Sequence, residues 1–104
     1  MDKEIENMTQ KIAAEIKPRK IVLFGSRAAG TARPESDVDL CVVQDQIPDK
    51  SAEFIRIRKI LGRVIYPLDL ILLGNDEFNR RKEIWGTVQY EIDKKGKVLY
   101  ERGN

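Results

Sequence analysis

The chain has 104 residues, 41% apolar and 35% charged, with a formal net charge of +2. That supports one small domain spanning residues 1–104 with a modest core, and the mixed charge forms no basic footprint, so direct nucleic-acid binding is not expected. The absence of histidine excludes imidazole acid–base catalysis, histidine triads and histidine zinc sites, and leaves catalysis to carboxylates, bound metal ions, lysine or arginine.

The start, Met1-Asp2-Lys3-Glu4, lacks the basic-then-apolar pattern of a signal peptide. Residues 2–16 then read as a helix, with Ile5, Met8, Ile12, Ala13 and Ile16 near helical spacing. Pro18 ends it. Lys20 to Phe24 is a short buried strand, and Gly25-Ser26 turns the chain. Ser26 can cap a following short helix, bringing its hydroxyl and the first free N–H groups to one spot that favours phosphate. Arg27 adds positive charge to the same turn, and Gly30 and Pro34 punctuate the loop beyond it. Gly25 and Gly30 have the glycine spacing of a P-loop, but Thr31-Ala32 stand where the phosphate-reaching lysine belongs. That reading is rejected.

Asp37 and Asp39 open the next strand, which Leu40 to Val43 completes. Strand side chains alternate, so both carboxylates leave from one face while Val38 packs on the other. Like charges that close disfavour ionisation, and a divalent cation removes the conflict; hard oxygen ligands suit magnesium or manganese. The lone Cys41 cannot form an internal disulfide, and a reducing cytoplasm is the simplest compartment.

Gln44 to Lys50 is a loop. Residues 51–65 read as a helix with Phe54, Ile57, Ile60, Leu61 and Val64 on one stripe and Arg56, Arg58, Lys59 and Arg63 off it. Tyr66 to Leu73 is a third strand, and Asp69 is the only acid in a run that otherwise reads as buried. A buried carboxylate needs a partner: either a core hydrogen bond or arginine, or a cation shared with Asp37 and Asp39. Asn75-Asp76-Glu77-Phe78 has the look of a capped helix start, and the charged run Arg80 to Glu83 follows. Trp85 reads as a partner anchor, a core residue or a lid residue. Thr87 caps a last helix carrying Val88 and Ile92, ended near Gly96. Lys97 to Tyr100 is expected as an edge strand and Glu101 to Asn104 as a frayed tail. No internal repeat or linker is visible, and no apolar run approaches the roughly 20 residues of a membrane span.

A Gly-Ser turn after one strand, Asp-x-Asp opening the next and an Asp in a third would meet at one mouth. That order suits two-metal phosphoryl transfer, in which ions about 3.5–4 Å apart clamp the attacking and leaving oxygens. The expected fold is α/β (α+β): a small mixed sheet of three to four strands with helices packed on one face and the acids at an open edge.

The run GSRAAGTARPESDVDL, residues 25–40, resembles the signature of the DNA polymerase beta-like nucleotidyltransferase superfamily. More narrowly, it is similar to the minimal nucleotidyltransferase (MNT-type) domains found as antitoxins beside HEPN-domain toxins. The likeness extends through Pro67-Leu68-Asp69-Leu70 to Gly96-Lys97-Val98-Leu99-Tyr100-Glu101. It implies Gly25 and Ser26 as the phosphate turn and Asp37, Asp39 and Asp69 as ligands of two Mg2+ ions, with ATP as substrate. Where the family often has a second arginine in the turn, this chain has Ala29. The resemblance further implies transfer of AMP to a tyrosine of a HEPN toxin, with the acceptor surface supplied by that partner or by a second copy in a homo-oligomer. Two other readings stand beside it: a non-catalytic module that neutralises its partner by binding, and the catalytic subunit of a small-molecule or RNA nucleotidyltransferase completed by a helical protein.

Overall fold

A computed structural model describes residues 2–103; Met1 and Asn104 lie outside the described residues. Helix α1 (Lys3–Ile16) begins where the Asp2 carboxylate accepts the amides of Glu4 and Ile5 at 2.8 and 3.3 Å. This N-cap satisfies donors that the first turn otherwise leaves unpaired. Ile5, Met8 and Ile12 face inward, and the helix stops at Lys17, which turns into the left-handed region at φ 51° ahead of Pro18. Strand β1 (Lys20–Phe24) leads into the short helix α2 (Gly25–Ala29), followed by β2 (Val38–Gln44), α3 (Lys50–Leu61), β3 (Leu68–Gly74), α4 (Asn75–Arg81), α5 (Val88–Lys95) and β4 (Lys97–Glu101).

The four strands form one mixed sheet in the order β3-β2-β1-β4, as expected of a small mixed sheet. β1 runs antiparallel to β2 and β4, while β2 and β3 run parallel through the α3 crossover. The main helical layer lies on one face. There α1 and α3 supply Ile5, Met8, Ile12, Ile57 and Leu61 against Ile21, Leu23, Val38, Leu40, Val42, Leu70 and Leu72. The alternate strand residues Val22, Cys41, Val43 and Leu73 form a smaller cluster on the other face, closed by Phe78 of α4 and Ile92 of α5. β2 is central and covered on both sides, which explains its nearly unbroken apolar run; Asp39 is the one charge within it.

Several sequence expectations shift. The third helix ends at Leu61 and not at residue 65, because Gly62 takes φ 63° and its N–H closes on the Arg58 carbonyl at 3.0 Å. Phe54, expected on the buried stripe, is 39% exposed. α4 begins at the expected place, but Gly74 is its N-cap and no side chain caps it. Thr87 does cap α5, accepting the Tyr90 amide at 3.0 Å. Trp85 is neither core nor covered, at 82% exposure. The last strand runs through Glu101, and the tail beyond it is tethered: the Arg102 amide bonds the Arg19 carbonyl and its guanidinium reaches Asp45 at 2.7 Å. The remainder of that expected tail, Asn104, lies outside the described residues.

Candidate active site

Three strand ends meet at one end of the sheet. Phe24 at the close of β1 pairs with Asp39 near the start of β2, and Asp39 is in register with Asp69 near the start of β3. Parallel pairing at the same register puts the Asp39 and Asp69 side chains side by side on the face of Cys41 and Val43. Asp37 is exposed immediately before β2, two residues from Asp39. The topology brings Asp39 and Asp69 together at this sheet end; Asp37, expected to open the strand, lies one residue before β2 and its charge bears on Asp39 from there.

Asp39 is half-buried, and its carboxyl is pushed above the usual carboxylate range. Loss of solvent is the main cause; the charges of Asp69 and Asp37 add to it, and a hydrogen bond to Asp69 further favours the protonated form. Asp69 itself is exposed, contrary to the buried position expected from its apolar neighbours. The reason is its place along β3: Asp69 lies near the start of the strand, at the open end of the sheet, whereas Leu70, Leu72 and Leu73 further along are buried.

Gly25 stands directly beside Asp39. Its φ of 73° disfavours any side chain, and a Cβ there would overlap Oδ2 of Asp39. The turn therefore lets backbone, and only backbone, approach the carboxylate. Ser26 does not cap α2 as expected: the helix starts two residues earlier, at Gly25 with Phe24 as N-cap, and no side chain caps it. Ser26 sits in the first turn, and its carbonyl accepts the amides of Gly30 and Thr31, the latter at 3.0 Å. The first-turn N–H groups of such a helix have no intrahelical partner.

Arg27 is engaged by the loop that follows the turn. Its Nε and Nη2 donate to the Ser36 carbonyl at 3.2 and 2.8 Å, and Nη2 also reaches the Pro34 carbonyl at 3.3 Å. The guanidinium lies over the Tyr66 ring, 4.1 Å from its centre. Tyr66 in turn donates its hydroxyl to Asp2 at 2.5 Å, and that bond is the first cause holding the Asp2 carboxyl below its usual range. One brace thus joins the start of α1, the approach to β3, the turn after β1 and the loop delivering Asp37. Sequence reasoning missed it because its acceptors are backbone carbonyls and its partners lie far apart in the chain; only the arginine in the turn was a visible signal.

Among the described residues, no three His, Cys, Asp or Glu side chains are placed to hold a single metal ion. The donor chemistry at Asp39 nevertheless suits a cation: adjacent carboxylates, one of them desolvated, are relieved by positive charge and by little else. A cleft of about 530 Å³ lined by Arg19, Lys20, Asn75 and Arg102 lies at the opposite end of the sheet and does not touch the acids. Among the described residues, no helix is long and apolar enough to cross a membrane.

Residues 4–104 match the family described as "Polymerase beta, Nucleotidyltransferase". No curated protein matches the chain. Among solved structures, a Sulfolobus solfataricus protein described as a candidate nucleotidyltransferase superposes with a TM-score of 0.66 at 20% identity, over 96% of this chain and 79% of its own. A chain from a toxin–antitoxin structure solved with AMP-PNP superposes with a TM-score of 0.60 at 22% identity, over 93% of this chain and 73% of its own. At such identities the two likenesses speak for the fold; the family match, which spans nearly the whole sequence, speaks for descent. The chain belongs to the polymerase beta nucleotidyltransferase family.

Proposed function

We propose that this domain is a metal-dependent nucleotidyltransferase that passes AMP from ATP to a hydroxyl, and that the acceptor is a tyrosine of a partner HEPN toxin in the cytoplasm. The observation that carries the reading is the placement of Asp39, desolvated between Asp69 and the side-chain-free Gly25 at the meeting of three strand ends. Asp37, Asp39 and Asp69 would hold Mg2+, which when bound offsets phosphate charge and lowers the pKa of the attacking hydroxyl. Gly25 leaves room for a phosphate beside Asp39. The first-turn N–H groups of α2 and the Ser26 hydroxyl donate to the terminal phosphates. Arg27 adds its charge to the turn and holds the loop that presents Asp37. In the transfer the acceptor oxygen bonds the α-phosphorus, the bond to pyrophosphate breaks, and the hydroxyl proton is released.

The toxin–antitoxin relative solved with AMP-PNP supports the partner class and the nucleotide. The acceptor would reach the site from outside, because the acid end of the sheet is open. Labelled transfer in extract of the source cells, followed by mass spectrometry of the acceptor, tests this. Label on a toxin tyrosine is expected; label on RNA or a small molecule would instead make the domain the catalytic subunit of a different transferase.

A second reading, a module that neutralises its partner by covering it, is favoured by the exposed Ile84 and Trp85, at 51% and 82%. A chain with Asp37, Asp39 and Asp69 all changed to Asn separates the two. If it still neutralises the partner in full, binding suffices.

A further inference from the structure

The two edges of the sheet are treated differently. β4 is short, its pairing with β1 is broken by a register shift at Ile21/Val22, and Lys97 and Glu101 stand exposed at its ends. Bulges and charges of this kind keep an edge from accepting another strand. β3 has no bulge, and beyond Asp69 near its start it carries no charge. Its pairing with β2 runs without a break from Val38–Leu68 to Gln44–Gly74, and Leu68–Gly74 contains no proline and no lysine. Asp69 is its only charge, and that residue belongs to the acid site.

The Pro67 carbonyl accepts from the Val38 amide at 2.8 Å, so strand alternation turns the N–H and C=O groups of Leu68, Leu70 and Leu72 away from β2. The Leu68 carbonyl is met there by Arg58 at 3.4 Å, and among the described residues no other side chain bonds the outer margin of β3. Beside this margin is a groove of about 450 Å³, lined by Lys50, Ser51, Phe54, Ile55, Leu70 and Leu72. Phe54 and Ile55 are 39% and 53% exposed along it. Its floor is apolar. Lys50 stands at one end, at the start of α3, and Arg58 at the other, beside Leu68.

We propose that the outer margin of β3 and this groove take an added strand from a partner polypeptide: an extended segment with alternate apolar side chains and acidic residues at both ends. Backbone pairing with Leu70 and Leu72 would supply the register, Phe54 and Ile55 would receive the apolar side chains, and Lys50 and Arg58 would meet the acidic ends. Self-pairing of two copies through β3 fits less well. An antiparallel two-fold arrangement sets α3 against its symmetry mate and brings Lys50 of one copy towards Arg58 of the other. The inference does not rest on the catalytic reading, since the margin and the acids use different atoms of β3.

The test uses the full chain and a synthetic peptide of alternating valine and threonine with glutamates at both ends, against the same peptide with lysines at the ends. Amide exchange and NMR titration are the readouts. Slowed exchange at Leu70 and Leu72 with the glutamate peptide only, and several-fold weaker binding by Lys50→Glu and Arg58→Glu variants, is expected. Ile55→Lys, a surface change that leaves the core intact, should abolish the protection. Equal binding of both peptides, or no protection at Leu70 and Leu72, would overturn the proposal. So would protection that rises with protein concentration alone, which would mark the margin as a self-association surface.

Discussion

The Cα of Gly25 lies so close to the carboxylate of Asp39 that a single added carbon would occupy the place of Oδ2. The contact joins the end of β1 to the start of β2, since Gly25 directly follows Phe24, the residue that pairs with Asp39. It makes Gly25→Ala a double fault, because the backbone at φ 73° resists a side chain and the space is already filled. The variant should lose about 1–3 kcal/mol of stability and, on the proposed function, its transfer activity. Thermal unfolding and labelled-nucleotide transfer measure both. A variant with unchanged Tm and rate would show that the turn does not bear on Asp39.

Asp39→Asn should separate stability from chemistry. The folded-state pKa of Asp39 is raised above its unfolded value, mainly by desolvation and then by Asp69 and Asp37. The wild-type fold is therefore favoured by this group below the unfolded pKa and loses that advantage as pH rises through the folded pKa. The asparagine variant does not titrate. In chelator it should be the more stable protein at neutral pH, by less than about 1 kcal/mol because the group is partly solvated, and the difference should vanish in acid. Unfolding curves across the acid range check this. A variant less stable than wild type at neutral pH in chelator would contradict the assignment of desolvation and like charge.

Tyr66→Phe removes the hydroxyl that Asp2 accepts. The Asp2 carboxyl is held low first by that bond and then by the Ile5 and Glu4 amides. A depressed folded pKa gives stability above the unfolded pKa that is lost as pH falls through the folded value. The variant should lower Tm slightly at neutral pH and flatten the loss of stability in acid. Arg27→Ala, which releases the Ser36 and Pro34 carbonyls, should speed amide exchange in the loop before Asp37. Unchanged exchange would mean the brace does not hold that loop.

Cys41 is fully buried on the inner strand, and burial pushes its thiol up to about 12. The thiolate is the reactive form, so the native protein should resist alkylation at neutral pH and react only when unfolded. Cys41→Ser buries a hydroxyl in place of a sulfur and should cost about 1–3 kcal/mol. Mass spectrometry after iodoacetamide, with and without denaturant, checks the first expectation, and a denaturant titration of the variant checks the second.

Much of the acid site was legible because it depends on local rules. Strand alternation set the face of Asp39, though Asp37, read as opening the same strand, lies one residue before it, and the Gly-Ser pair marked a turn between two apolar runs. Asp69 was legible as an interruption of β3, but not as an exposed residue, since nothing local says that the covering layers stop short of the start of that strand. Ser26 was misplaced as a cap because helix α2 begins at Gly25, two residues earlier than a serine cap would set it. The brace through Arg27, Tyr66 and Asp2 depends on tertiary proximity and leaves no periodic trace. Phe54 read as part of the apolar stripe of its helix; its exposure, like that of Ile55, follows from the open margin of β3 beside it.

The central claim is that the Asp39 end of the sheet transfers nucleotide. The most direct measurement incubates the purified chain with its partner, Mg2+ and ATP labelled on the α-phosphate, beside an Asp39→Asn chain shown to be folded by circular dichroism. Label on the partner with the wild type and none with Asp39→Asn is the predicted result. Equal labelling by both chains, or none by the wild type with the partner verified in the complex, would contradict it.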